Sequence, residues 1–238
     1  MKKIIVALIF CLISLSFSTG FAKEKPRIGV LRFTNNTNAG WWSGGVGRDL
    51  QDMLIAELAS LKCFRVLERK ELDAVIREQD MTASGMVRKG TRAKLGQLTG
   101  AKYLVAATVS AFEKNTAGSG GGLSFKGISL GGKKDKAYMA IDLKVIEVDT
   151  GEIADARTVE ATSKGGGMKI GLHKWGFGGN LGGHKKTPTG KAIRACIMEA
   201  SEYLECSLVK GKNHRCMQGY DAKESKRREK TKGSIQLD

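Results

Sequence analysis

Eighteen of the chain's 31 glycines fall between Gly118 and Gly190, and apolar residues alternate among them. Two excursions carry the pattern, residues 118–136 and 164–186. The first places Leu123, Phe125, Ile128 and Leu130 among Gly, Ser and Lys; the second places Met168, Ile170, Leu172, Trp175 and Phe177 in a similar setting. A period of two sends alternate side chains to opposite faces of a strand. One oily face and one polar face suit a hairpin in the wall of a membrane β-barrel. The competing reading is a Gly-rich loop without fixed structure.

The start of the chain bears on which environment the excursions meet. Lys2 and Lys3 precede an apolar run over residues 4–17, and Gly20, Phe21 and Ala22 supply a cleavage site. This is the pattern of a secretory signal peptide, residues 1–22, too short in its apolar run for a spanning helix. No later stretch reaches 18 consecutive apolar residues, so membrane insertion, if it occurs, must use β-structure. The expected location is the periplasmic space or outer membrane of a Gram-negative cell. The formal charge of +16 falls to +14 when Lys2 and Lys3 leave. In an exported chain that excess points to anionic envelope partners rather than nucleic acid. Part of the excess sits in a basic C-terminal tail, residues 209–238, centred on Lys226, Arg227 and Arg228, which reads as a solvated, disordered end.

Residues 23–208 read as one α/β domain interrupted by the excursions, which occupy residues 112–140 and 156–186 with their flanking strands. A first strand is expected over residues 27–33. Val46, Leu50, Met53, Leu54, Leu58 and Leu61 recur at helical spacing. A short strand follows at 64–67, then a helix marked by Leu72, Val75 and Ile76, and a third helix marked by Leu95 and Leu98 that ends at Gly100. Long strands are expected at 103–112, 138–148 and 153–161, the last two joined by a tight turn at Gly151. Thr187 can cap a final helix whose apolar face holds Ile193, Ile197, Ala200 and Leu204. The predicted architecture is a two-layer or three-layer sandwich with both excursions leaving one sheet.

After Cys11 departs with the leader, Cys63, Cys196, Cys206 and Cys216 remain. Cys206 and Cys216 close a short loop and are the favoured disulfide; Cys63 and Cys196 are expected to be buried thiols. No cysteine or histidine spacing marks a metal site. The three histidines lie in Gly-rich or Lys-rich stretches without a nucleophile or acid at meaningful spacing. No enzyme, cofactor or small-molecule substrate is therefore expected. Gly118 to Gly122 is no phosphate loop, because no Gly-Lys-Ser/Thr opens a helix behind it.

Three segments together resemble a known family. Leu67, Glu68, Arg69, Leu72, Ile76 and Glu78 form one; Ala101, Tyr103, Leu104 and Val105 a second; Val145, Val148, Thr150, Gly151, Glu152 and Ile153 a third. In order and spacing they are similar to the curli secretion channel family (CsgG/HfaB), over roughly residues 25–208. The resemblance implies a periplasmic α/β domain, a ring of identical subunits, and two β-hairpins per subunit that build one outer-membrane barrel. It also implies outer-membrane lipid and an unfolded fibre or adhesin client as partners. A non-pore periplasmic assembly factor built on the same domain is the alternative. The chain departs from the family's lipoproteins at Cys11, where the preceding Phe10 spoils the lipobox.

Trp41 and Trp42 stand in a polar Gly-rich loop between the first strand and first helix. In the resembling channel this loop narrows the pore. Counting back from the helix, Trp42 falls at that channel's Phe position, Trp41 at its Asn, and Thr37 near its Tyr. The pair is thus a candidate pore constriction, with packing on the domain or at a subunit contact as the other reading. A Gly-flanked loop suggests few core contacts, so removing the pair is expected to leave folding intact.

Overall fold

Alternating burial along three long strands organises the molecule in the computed structural model, which describes residues 24–114, 124–125, 128–129, 136–164 and 187–234. Strand β1 (Arg27–Val30) lies between β3 (Arg65–Leu67) and β4 (Tyr103–Lys114), parallel to both. The short β2 (Thr34–Asn35) also pairs with β4. Strands β7 (Lys136–Glu147) and β8 (Ile153–Lys164) continue the sheet antiparallel, in the order β3-β1-β4-β7-β8. A separate two-stranded ladder joins β5 (Ser124–Phe125) to β6 (Ile128–Ser129).

One face of the sheet is apolar. Val105, Ala107, Val109, Met139, Ile141, Leu143, Val145 and Val159 are buried on it. Helices α1 (Val46–Ser60) and α3 (Pro188–Leu204) cover this face and touch each other. They close the core with Leu50, Leu54 and Leu58 from α1, and with Ile193, Ile197, Ala200 and Leu204 from α3. The helical spacing read from sequence is the stripe that burial demands. Thr187 Oγ1 accepts the Gly190 N–H at 3.1 Å and Pro188 opens the helix, as an N-terminal cap requires. The opposite face carries a polar row: Thr34 bonds Thr108 at 2.7 Å, and the Thr158 hydroxyl donates to Asp142 at 2.7 Å. The result is a two-layer α/β sandwich.

Three sequence expectations are corrected. The first strand ends at Val30, not residue 33, because Phe33 N–H turns to the Gly47 carbonyl at 3.1 Å at the start of α1. The third helix, expected from Leu95 and Leu98, does not form. A 3-10 turn (Lys89–Thr91) stands there instead, followed by Gly96 at φ +70, with Leu95 and Leu98 both exposed. Two apolar residues with nothing to bury against cannot offset helix nucleation, and a positive-φ glycine interrupts the run. Ahead of that turn, α2 (Leu72–Ala83) forms as expected but buries only Thr82.

The third correction is the tail. Residues 215–233 form α4 (Arg215–Gly233), reached from α3 through a π-helical turn (Glu205–Lys210). Glu224 holds Arg227 and Arg228 at 2.7 Å, three and four residues on, and Lys230 and Lys232 lie in the last turn, where the helix dipole favours cations. Among the described residues, no helix is long and apolar enough to cross a membrane.

Candidate functional site

The candidate site is the end of the sheet from which both excursions leave. In register, Lys114 of β4 lies opposite Ala137 of β7, and Lys136 of β7 lies opposite Lys164 of β8. Three adjacent strands therefore stop at one level, and the gaps to the next described elements begin there. Within the first gap, the backbone pairs Phe125 with Ile128 and Ser124 with Ser129. Apolar positions thus oppose each other, as do the serines. Leu123, Leu130, Met168, Ile170, Leu172, Trp175 and Phe177 lie outside the described residues.

The tryptophan loop reaches the same end. β2 carries it alongside β4, with Asn36 N–H donating to the Val109 carbonyl at 3.0 Å. Asn35 Oδ1 accepts from the backbone N–H and the hydroxyl of Thr37 at 3.0 and 2.7 Å, and Trp42 N–H reaches the Ala39 carbonyl at 2.9 Å. These local bonds give the loop a defined course. Trp41 meets Phe112 edge-on, centroids 5.2 Å apart, and Trp42 at 5.7 Å. Both tryptophans are half-buried against the core, and Trp41 Nε1–H is buried without an acceptor among the described residues. The expectation of few core contacts is corrected: the pair packs on the domain, at the root of the first excursion.

Phe112 is the partner that sequence reasoning missed, and a bulge explains why. Val109 pairs with Ile141, but Ala111 pairs with Ala140, so Ser110 is an extra residue in β4. A bulge re-aims the side chains beyond it. Phe112 consequently lies opposite buried Met139, on the helix-covered face, where Trp41 can meet it. Simple alternation from Val109 would send Phe112 to the other side. Nearby, burial and then the adjacent Glu160 carboxylate push the Tyr138 phenol up. Burial likewise raises the Cys196 thiol, whose Sγ contacts the Met139 carbonyl at 3.2 Å.

At the other end of the core face, α4 is clamped. Cys206 and Cys216 are disulfide-bonded, with Cα atoms 6.1 Å apart. His214 caps α4 through Nδ1, which accepts the Cys216 N–H at 3.2 Å. Met217 is buried, and Tyr220 meets Tyr203 edge-on at 5.2 Å. Arg157 stacks on Tyr203 and donates to the Tyr220 carbonyl at 3.1 Å and to Asp221 at 2.7 Å. Among the described residues the free thiols are Cys63, which is half-buried rather than buried as expected, and Cys196, buried. Only the loop spacing of Cys206 and Cys216 hinted at this clamp from sequence.

The described residues thus form a two-layer α/β sandwich in which three adjacent strands end at one level and a disulfide clamps the last described helix. The family model described as curli production assembly/transport component CsgG matches residues 13–235, and the chain belongs to that family. It is 25% identical over 166 residues to the curli component CsgG of Escherichia coli K12, covering 68% of this chain. That match spans 60% of the curli component's own length. It is 28% identical over 201 residues to a Neisseria meningitidis serogroup B protein named as a lipoprotein candidate, with 82% of each covered. Among solved structures, a hypothetical protein of Chlamydia trachomatis aligns with TM-score 0.49 and 11% identity, over 79% of this chain and all of that one.

Proposed function

We propose that the chain is an exported cell-envelope protein and a subunit of a homo-oligomeric secretion ring. Each copy contributes two hairpins to an outer-membrane β-barrel through which an unfolded fibre or adhesin protein passes. The observation that carries this reading is the common level at which β4, β7 and β8 end, at Lys114, Lys136 and Lys164. Hairpins leaving there extend an existing hydrogen-bonded ladder instead of starting a new one. With Phe125 paired to Ile128, the 21 residues between Lys114 and Lys136 divide into arms of about 11 and 8 around a two-residue turn, close to the length a membrane β-strand needs (about 9–11 residues). The likeness to a curli production assembly/transport component supports the client class. In this reading Trp41 anchors its loop on Phe112, and Trp42 is the side chain offered to the ring axis.

The packing of the tryptophan pair on its own domain also favours a second reading, a periplasmic assembly factor that forms no pore. Electron microscopy and membrane fractionation of the full chain and of a variant lacking residues 118–134 separate the two. The pore reading expects detergent-dependent rings for the full chain, and a folded but membrane-free deletion variant. A monomer in buffer without detergent, or a deletion that fractionates with membrane unchanged, rejects it.

A further inference from the structure

The join between the π-helical turn and α4 gathers three donors that suit a thiophilic metal ion. Cys206 Sγ, Cys216 Sγ and a ring nitrogen of His214 all lie within 4.8 Å of one another. Cys206 is buried at the end of the α3 layer, Cys216 is half-buried in the first turn of α4, and His214 is exposed. The Nδ1 atom is 3.0 Å from Cys216 Sγ. Its lone pair already faces this corner, as acceptor for the Cys216 N–H. The disulfide joins the two sulfurs to each other, and then only the imidazole is left to bind.

Reduction changes what this corner can do. A tetrahedral centre with metal–sulfur bonds of about 2.3 Å holds its sulfurs about 3.8 Å apart. Cα atoms 6.1 Å apart permit that spacing by side-chain rotation, without moving α4. We propose that in the reduced chain Cys206, Cys216 and His214 form a site for a thiophilic divalent ion of the Zn²⁺ type, with the fourth position taken by water. A dithiol supplies two electrons and two protons to the disulfide and becomes a disulfide itself. The ion then binds as both cysteine thiols release their protons to solvent and His214 Nδ1 exchanges its hydrogen bond from the Cys216 N–H for a bond to the ion, leaving that N–H to solvent. Metal and disulfide are alternative fastenings of one helix: the ion holds α4 against α3 in a reducing setting, and the disulfide holds it after oxidation.

Cobalt(II) reports such a site directly. The full chain carrying Cys11→Ser and Cys63→Ser, which leaves the buried Cys196 as the other thiol, is reduced with a phosphine, desalted under argon and titrated with Co²⁺. The expected result is tetrahedral cobalt bands with thiolate charge transfer, saturating at one ion per chain and displaced by Zn²⁺. The oxidised protein shows none. Cys206→Ser and Cys216→Ser each abolish the bands, and His214→Ala weakens binding about tenfold or more. Far-UV circular dichroism matching the parent verifies that each variant is folded. Absence of bands in the reduced parent, or bands that persist in folded Cys206→Ser and Cys216→Ser, overturns the proposal.

Discussion

Trp41→Ala tests whether the loop is packed as the structure has it. Complete loss of a core tryptophan costs about 3–5 kcal/mol, and Trp41 is half-buried, so burial alone accounts for about 2 kcal/mol. Its edge-on contacts with Phe112 and Trp42 add about 0.5–1.5 kcal/mol each. Against this, the substitution removes a buried Nε1–H with no acceptor among the described residues, which returns about 1 kcal/mol. The net expectation is a loss of about 2–4 kcal/mol. Trp41→Phe, which keeps a ring and deletes the N–H, should stay within about 1 kcal/mol of wild type. Trp42→Ala, half-buried too but with one ring contact, should lose about 3 kcal/mol. Guanidinium unfolding followed by far-UV circular dichroism measures these values without using tryptophan as the probe. A double-mutant cycle of Trp41→Ala with Phe112→Ala should show coupling of about 1 kcal/mol. Unchanged unfolding midpoints and zero coupling would refute the packing. In planar bilayers, the pore reading adds that Trp42→Ala raises conductance at unchanged oligomer yield; a ring that falls apart at unchanged conductance assigns the pair to a subunit contact.

Gly47→Ala should destabilise the domain, because the new Cβ would sit 2.4 Å from the Phe33 carbonyl oxygen, a backbone atom that cannot rotate away. Such overpacking costs about 1–3 kcal/mol, enough to lower Tm by several degrees; a raised Tm from better helix propensity would refute the contact. The α4 helix should loosen in acid. Hydrogen bonds from Arg227, and secondly from Arg228, lower the Glu224 carboxyl from 4.5 to about 2. A depressed carboxyl stabilises the folded helix fully above its unfolded pKa, and that contribution is lost as pH falls from about 4.5 towards 2. Carbon-13 secondary shifts along α4 should decline over this window, and Glu224→Gln should flatten the response. Mass spectrometry of protein exported to the envelope should find Lys23 as an unmodified N-terminus; a diacylglyceryl group on Cys11 would refute the leader reading.

Much of this protein was legible in its residues because the signals are local. The stripe from Leu50 to Leu58, the Thr187–Pro188 cap and the alternation through Met139, Ile141 and Leu143 each name an element and its buried face. Local hydrogen bonding and periodicity suffice for those. The sheet order, the common level of Lys114, Lys136 and Lys164, and the bulge at Ser110 are settled by pairing between distant strands. That pairing moves Phe112 onto the face where Trp41 packs, reversing what alternation implies. Leu95 and Leu98 failed as helix markers for the complementary reason, since no surface stands where their stripe would bury. Beyond Cys216, Met217 and Tyr220 the α4 sequence is polar, so its docking depends on Tyr203, Arg157 and Cys206, contributed by elements distant in space until the chain folds. A residue's own pattern determines which element it joins; which partner it meets depends on register and packing, and those exist only in three dimensions.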